Sequence, residues 1–349
     1  MRDRAGRATL LLPGVLVTAT ASVLAGVAVT APAPLPGLPD SDVVRVGLPV
    51  VRLLLDAVGI GAVGIGVLGW LLRGERRASA IAATAQRAGV VLGAVWVLTA
   101  LMLIWWQAAE LSPNRLGLRV RELAEYSAQV SSGRALLVTA ACALAFGVLS
   151  LVTTRSRTVP VELPAVAALL GVVALPLTGH AAGSAGHTPA MLATAVHVLA
   201  AAAWVGGLLA VFVLVAPHRA LLASVLPKFS RLAACCLAAV AVSGVVSATV
   251  QLAVRVDRPL LDALSGTGYG WLVIGKTVLL AGLGGIGAQV RFRLLPELSP
   301  GASARSRLVL AGWITAELLL MALAVGLGTA LGRAAPTEVG WGIAEVPTR

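Results

Sequence analysis

Between Thr178 and Gly207 the chain reads TGHAAGSAGHTPAMLATAVHVLAAAAWVGG. This stretch has no formal charge, yet it holds three of the four histidines, His180, His187 and His197. Imidazole nitrogens suit copper and zinc, and the thioether of Met191 selects copper(I) among the common metals. The histidines are seven and ten residues apart, which makes no compact two-histidine motif. A shared site therefore requires a hairpin that brings two helix ends together. On the residues alone three readings stand side by side. One is metal handling, the second is histidines satisfied within a core or interface, and the third is haem held by axial imidazoles from facing helices. His218, among basic residues at a helix end, reads as an ordinary interfacial side chain.

The elements that position these groups follow from composition. Of 349 residues, 58% are hydrophobic and 12% charged, and mean hydropathy is +0.93. A soluble domain carries about 25% charged residues, so most of this exterior must face lipid. In a bilayer the backbone must satisfy its own hydrogen bonds, and a run of about 20 apolar residues does so as a helix. The expected fold is an all-α, polytopic transmembrane bundle of about nine spans. They lie near 9–30, 48–72, 88–109, 134–154, 163–181, 190–215, 232–254, 269–290 and 308–332. A cleaved signal peptide at the first would leave eight, and a retained anchor is the favoured reading. Alternating strand patterning, the mark of a β-barrel, is absent. In this frame His180 ends the fifth span, His187 sits in a short turn, and His197 lies about two turns into the sixth. Pro176 is expected to bend the fifth.

Charge sets orientation. Net charge is +12, but the basic residues fall between apolar runs rather than in a nucleic-acid-binding pattern, and no nucleic-acid partner is expected. Arg2, Arg4, Arg7, Arg73, Arg76, Arg77, Arg87, Arg155, Arg157, Arg219, Lys228, Arg231, Arg291, Arg293, Arg305 and Arg307 fall on one side. This excess places the N-terminus inside and the C-terminus outside the membrane. Cys142, Cys235 and Cys236 lie within apolar runs and read as small buried side chains. Residues 110–134 carry mixed charge with amphipathic character, as a helix lying on the membrane would. No Walker motif, catalytic triad or metalloprotease motif appears, so the chain does not read as an enzyme.

Ionisable residues inside apolar runs are costly and mark functional candidates. Arg52 and Asp56 are four residues apart and can pair on one helix face. Lys276 stands about two turns into the eighth span, where its stem can snorkel outward. Glu317 lies near the middle of the ninth, where snorkelling is difficult and a buried partner or a protonated carboxyl is expected. These four form a possible polar pathway.

Three stretches carry a specific likeness: HVLAAAAWVGGLLA, LPKFSRLAACCLAAVAVSGVVSATVQL and LSGTGYGWLVIGKTVLLAGLGGIGAQVR. They resemble the copper resistance protein D family of bacterial inner-membrane proteins at His197, Trp204, Gly206, Gly207, Phe229, Ser230, Arg231, Tyr269, Gly270 and Lys276. Trp271 stands where the family often has arginine, and GAQVR replaces a more usual asparagine-containing end. The resemblance divides the chain into N-terminal membrane helices (1–160), a copper resistance D-like membrane domain (161–335) and a short external tail (336–349). It implies copper transport or tolerance at the cytoplasmic membrane, with an external copper-binding protein as partner. With that premise, His180, His187, His197 and Met191 form the expected copper entrance. A haem-bearing electron carrier and a non-transporting assembly partner for copper enzymes are the alternatives.

Overall fold

The computed structural model describes residues 13–26, 42–112, 117–155, 159–160, 162–178, 187–255, 260–266, 268–294 and 304–331. All regular structure among them is helical. The elements are α1 (Pro13–Gly26), α2 (Asp42–Leu71), α3 (Ser79–Leu111), α4 (Val120–Gln129), α5 (Ser131–Arg155) and α6 (Glu162–Ala174). After them come α7 (His187–Ala210), α8 (Arg219–Arg255), α9 (Leu260–Gly266), α10 (Gly268–Gln289) and α11 (Ala304–Leu331). Single π turns, Val211–Val215 and Val290–Leu294, extend α7 and α10.

Seven of these helices, α2, α3, α5, α7, α8, α10 and α11, are long and apolar enough to cross a bilayer. At two of the nine expected positions the apolar helices are shorter: α1, and α6 with 13 residues. Pro176 does not bend α6. The helix stops at Ala174, and Pro176 opens a 3-10 turn through Thr178, consistent with proline's missing N–H and ring clash inside a helix. The expected start of the seventh span near 232 also moves, because α8 begins at Arg219. Leu221, Val225, Leu226 and Phe229 are buried, and their spacing forms one apolar stripe. That stripe extends the helix through a basic segment expected to be a loop.

α2 is the hub. Half of its apolar window is buried, against 11% for α10, and it packs on α3, α6, α7 and α11. Side-chain size decides how close these helices come. A Cβ at Gly64 would collide with the Gly206 carbonyl oxygen of α7, and one at Gly206 would meet the Ile60 carbonyl of α2. Backbone therefore lies on backbone at this crossing, the geometry that small residues permit between membrane helices. Trp96 of α3, 1% exposed, fills the next gap. A Cβ at Gly171 of α6 would come within 2.7 Å of its ring, and one at Gly59 of α2 within 3.0 Å. Leu98, Leu144, Leu170, Val242 and Val278 face outward, as side chains solvated by lipid tails do.

α4 is the amphipathic segment expected within 110–134. Its Tyr126 hydroxyl donates to Gln107 Oε1 at 2.6 Å and lies 2.8 Å from Ser132 Oγ. Burial pushes the phenol above its ordinary range, so the anchor stays neutral. One hydrogen-bonded residue thus ties this short helix to α3 and α5.

Replacing Gly206 with leucine places a branched side chain where the α2 backbone stands. Overpacking of this kind costs about 1–3 kcal/mol, and backbone on the other side cannot rotate away. Gly206→Leu is expected to lower the melting temperature in detergent, while Gly285→Leu, whose Cβ would meet open space, is expected to leave it unchanged.

Candidate functional site

Of the three histidines between Thr178 and Gly207, His197 is the one whose side-chain surroundings are described; His218 is exposed just before α8. His197 stands about 12 Å along the apolar segment that starts at Pro189, at 1.5 Å per residue. Its Nδ1 lies 3.1 Å from Ser243 Oγ of α8, and the Val240 carbonyl is its backbone hydrogen-bonding neighbour. The ring rests against Gly244: a Cβ there would lie 3.6 Å from Cε1 and 3.7 Å from Nδ1. Lys276 of α10 is the charged side chain that acts on the ring electrostatically. It stands at a similar depth, about 10 Å along its segment from Tyr269.

The Lys276 ammonium reaches the α11 backbone, with Nζ 3.4 Å from where a Gly328 Cβ would be. Gly328 lies three residues from the end of α11 at Leu331, so the lysine leans toward the end of the bundle where α7 begins. That is the snorkelling direction its long stem allows.

Deeper in the bundle, Glu317 is 6% exposed. Its hydrogen-bonding neighbour is the Trp204 indole of α7, although Nε1 falls short of a formed hydrogen bond. Trp204 immediately precedes the Val205-Gly206-Gly207 turn at the α2 crossing, so the carboxyl's neighbour adjoins that crossing. Arg52 Nε donates to both carboxylate oxygens of Asp56 at 3.1 Å, the expected pairing on one face. Asp56 is about 15 Å along α2 from Val46. Both residues therefore lie within the stretch of α2 that is long and apolar enough to cross a bilayer.

His180 lies outside the described residues, and His187 is described only as the first residue of α7. Met191 is on α7 one turn after His187. It is six residues from His197, about 9 Å along the axis and roughly 120° around it. Helix register thus sets Met191 and His197 on different sides of α7. Among the described residues no group of three or more His, Cys, Asp or Glu side chains is arranged to hold a metal ion.

Sequence reasoning missed three partnerships, at two places in the bundle. One is on α8, where Ser243 meets His197 and the sequence signal is a Ser-Gly pair following the apolar run from Leu232 to Val242. The other is at the far end of the bundle, where Lys228 Nζ donates to Glu75 Oε1 at 3.0 Å. Arg73 pairs there with Glu162 at 2.7 Å. The hydrogen bond from Lys228 holds the Glu75 carboxyl below the usual carboxylate range.

Residues 223–331 match the family model described as copper resistance protein D, and residues 41–190 match that of the copper resistance protein D-like N-terminal domain. Together they cover most of the chain. No curated protein and no solved structure matches it. Arg52, Asp56 and Glu75 belong to the N-terminal match; Lys228, Ser243, Lys276 and Glu317 belong to the other. His197 and Trp204–Gly207 fall on α7 between them. The Glu75–Lys228 pair therefore bridges the two matched stretches.

A carboxyl depressed in the folded state adds stability above its unfolded value, and that contribution is lost as pH falls through its folded value. Glu75→Gln is expected to melt below the parent at neutral pH. The two curves should converge as pH falls through the depressed folded value, once the Glu75 carboxyl is protonated in both states; melting in detergent from neutral into acid checks it.

Proposed function

Since this chain belongs to the copper resistance protein D family, we propose that it carries copper ions across the cytoplasmic membrane, entering at the end of the bundle where α7 begins. The positive-side bias makes that end external, with the N-terminus inside, and α1 and α6 complete nine spans. His180, His187 and Met191 form the capture step. His187 and Met191 stand one turn apart at the mouth, and a mixed imidazole–thioether set suits copper(I). His197, about two turns further in, receives the ion. Arg52–Asp56 and Glu317 supply the polar steps within the spans, where a moving cation has little else to meet. A periplasmic or extracellular copper-binding protein would deliver the ion.

The observation that carries this reading is His197, an imidazole held inside an apolar span of a chain from this family. Its described hydrogen bonding goes to α8 alone, and it engages the Nδ1 edge of the ring. A permeating ion needs a site strong enough to capture it and weak enough to release it. One imidazole opposed by the Lys276 ammonium meets that demand better than a closed cage of ligands.

Copper flux into sealed vesicles is the test. His197→Ala and His180→Ala are expected to reduce uptake at least about tenfold, in line with the loss of a tight polar contact, without loss of folded protein. Unchanged flux in both would refute the entrance, and a Soret band in the purified parent that disappears in His197→Ala would replace copper with haem. Lys276→Met removes the opposing charge. It is expected to bind copper(I) more tightly while transporting it more slowly; weaker binding would overturn the assigned role of the lysine.

A further inference from the structure

We propose that Ser243 is the positioning residue of the His197 site, holding the neutral imidazole as its Nδ1–H tautomer so that Nε2 is the nitrogen presented to a soft cation. The proposal rests on the copper reading of His197 and names the group that orients it.

Proton counting carries the argument. A serine hydroxyl has one proton to donate. Ser243 Oγ lies 2.5 Å from the Ala239 carbonyl oxygen, four residues back in α8, and 3.3 Å from the Val240 carbonyl. Carbonyl oxygens only accept, so the hydroxyl proton is directed along α8 and the oxygen turns a lone pair toward the ring. His197 Nδ1, 3.1 Å away, must then be the donor. The Val240 carbonyl, the ring's backbone neighbour, is another acceptor on the same helix. A neutral imidazole has one N–H. With that proton at Nδ1, Nε2 carries the free lone pair.

The surroundings agree with an open Nε2. The Nδ1–Cε1 edge lies on α8 at Gly244, and no hydrogen bond to Nε2 occurs among the described residues. One turn along the same side of α8, toward the mouth, Ser247 Oγ is enclosed without a hydrogen-bond partner. An unpaired buried hydroxyl is unusual, and it leaves a polar group beside the approach to the ring. Histidines that bind metals commonly donate the other ring N–H to a protein oxygen, which fixes the tautomer and raises the basicity of the ligating nitrogen. Ser243 supplies that oxygen here.

The experiment uses full-length protein with nitrogen-15 in its histidine rings, in lipid bilayers, with the His197→Gln spectrum identifying the resonances. The parent is expected to show a protonated Nδ1 and a bare Nε2, and copper(I) alone should shift Nε2. Ser243→Ala should give a mixture of tautomers and about 10–100-fold weaker copper(I) binding, the range for losing such a supporting contact. Ser243→Thr, which keeps a hydroxyl able to bond back along the helix, should restore both. A parent ring protonated at Nε2 overturns the proposal, and so does a Ser243→Ala protein with unchanged tautomer and affinity. If Ser243→Ala fails to fold, the parent and threonine spectra still decide. A ring protonated at Nδ1 that copper(I) never perturbs overturns the copper reading while the tautomer assignment stands.

Discussion

Where α2 crosses α7, the Gly206 carbonyl occupies the space that a side chain at position 64 would need. Lipid tails are as apolar as leucine, so membrane helices gain little from burying apolar surface against one another. Close packing has to supply the association, and it requires surfaces without projections. This crossing sets the distance between Arg52–Asp56 on one helix and His197 and Trp204 on the other. It also explains why α2 can touch so many neighbours: glycines at 59 and 64 let Trp96 and the α7 backbone approach from different sides.

The same solvent dictates how the polar residues are treated. The ionisable residues named in the spans are each paired or placed against a neighbour that can answer them, whereas the Ser150 and Ser247 hydroxyls are enclosed without a hydrogen-bond partner. Arg52 holds Asp56 with two contacts on its own helix, His197 turns one edge to Ser243, Lys276 leans along α11, and Glu317 sits by the Trp204 indole. The ion pairs that link separate elements, Arg73–Glu162 and Glu75–Lys228, gather at one end of the bundle. Electrostatics thus fastens that rim, and packing holds the interior.

Local patterns were legible in the sequence and long-range ones were not. The Arg52–Asp56 pair follows from spacing on one helix, and the spans follow from runs of apolar residues. The small residues of the WVGG turn announce a close approach, but nothing local names Gly64 as its counterpart. Ser243 looks like any serine bonding back along its helix, because its partner is 46 residues away. The basic stretch before 232 reads as a loop when charge alone is weighed. Its apolar stripe at helical spacing, packed on the bundle, overrides that reading. Pro176 shows the reverse case, a signal correctly located whose effect, termination rather than a bend, depends on the backbone that follows.

The glycine crossing and the Glu75–Lys228 bridge have a mechanical consequence when taken together. Each pins the α2 segment to the later part of the chain, one in the interior and one at the rim. Two pinned points define an axis. The displacement least hindered by both is a swing about that line, which moves the thinly packed α10 furthest and the hub least. A lever of this shape would translate small turns near the hub into larger excursions at the periphery.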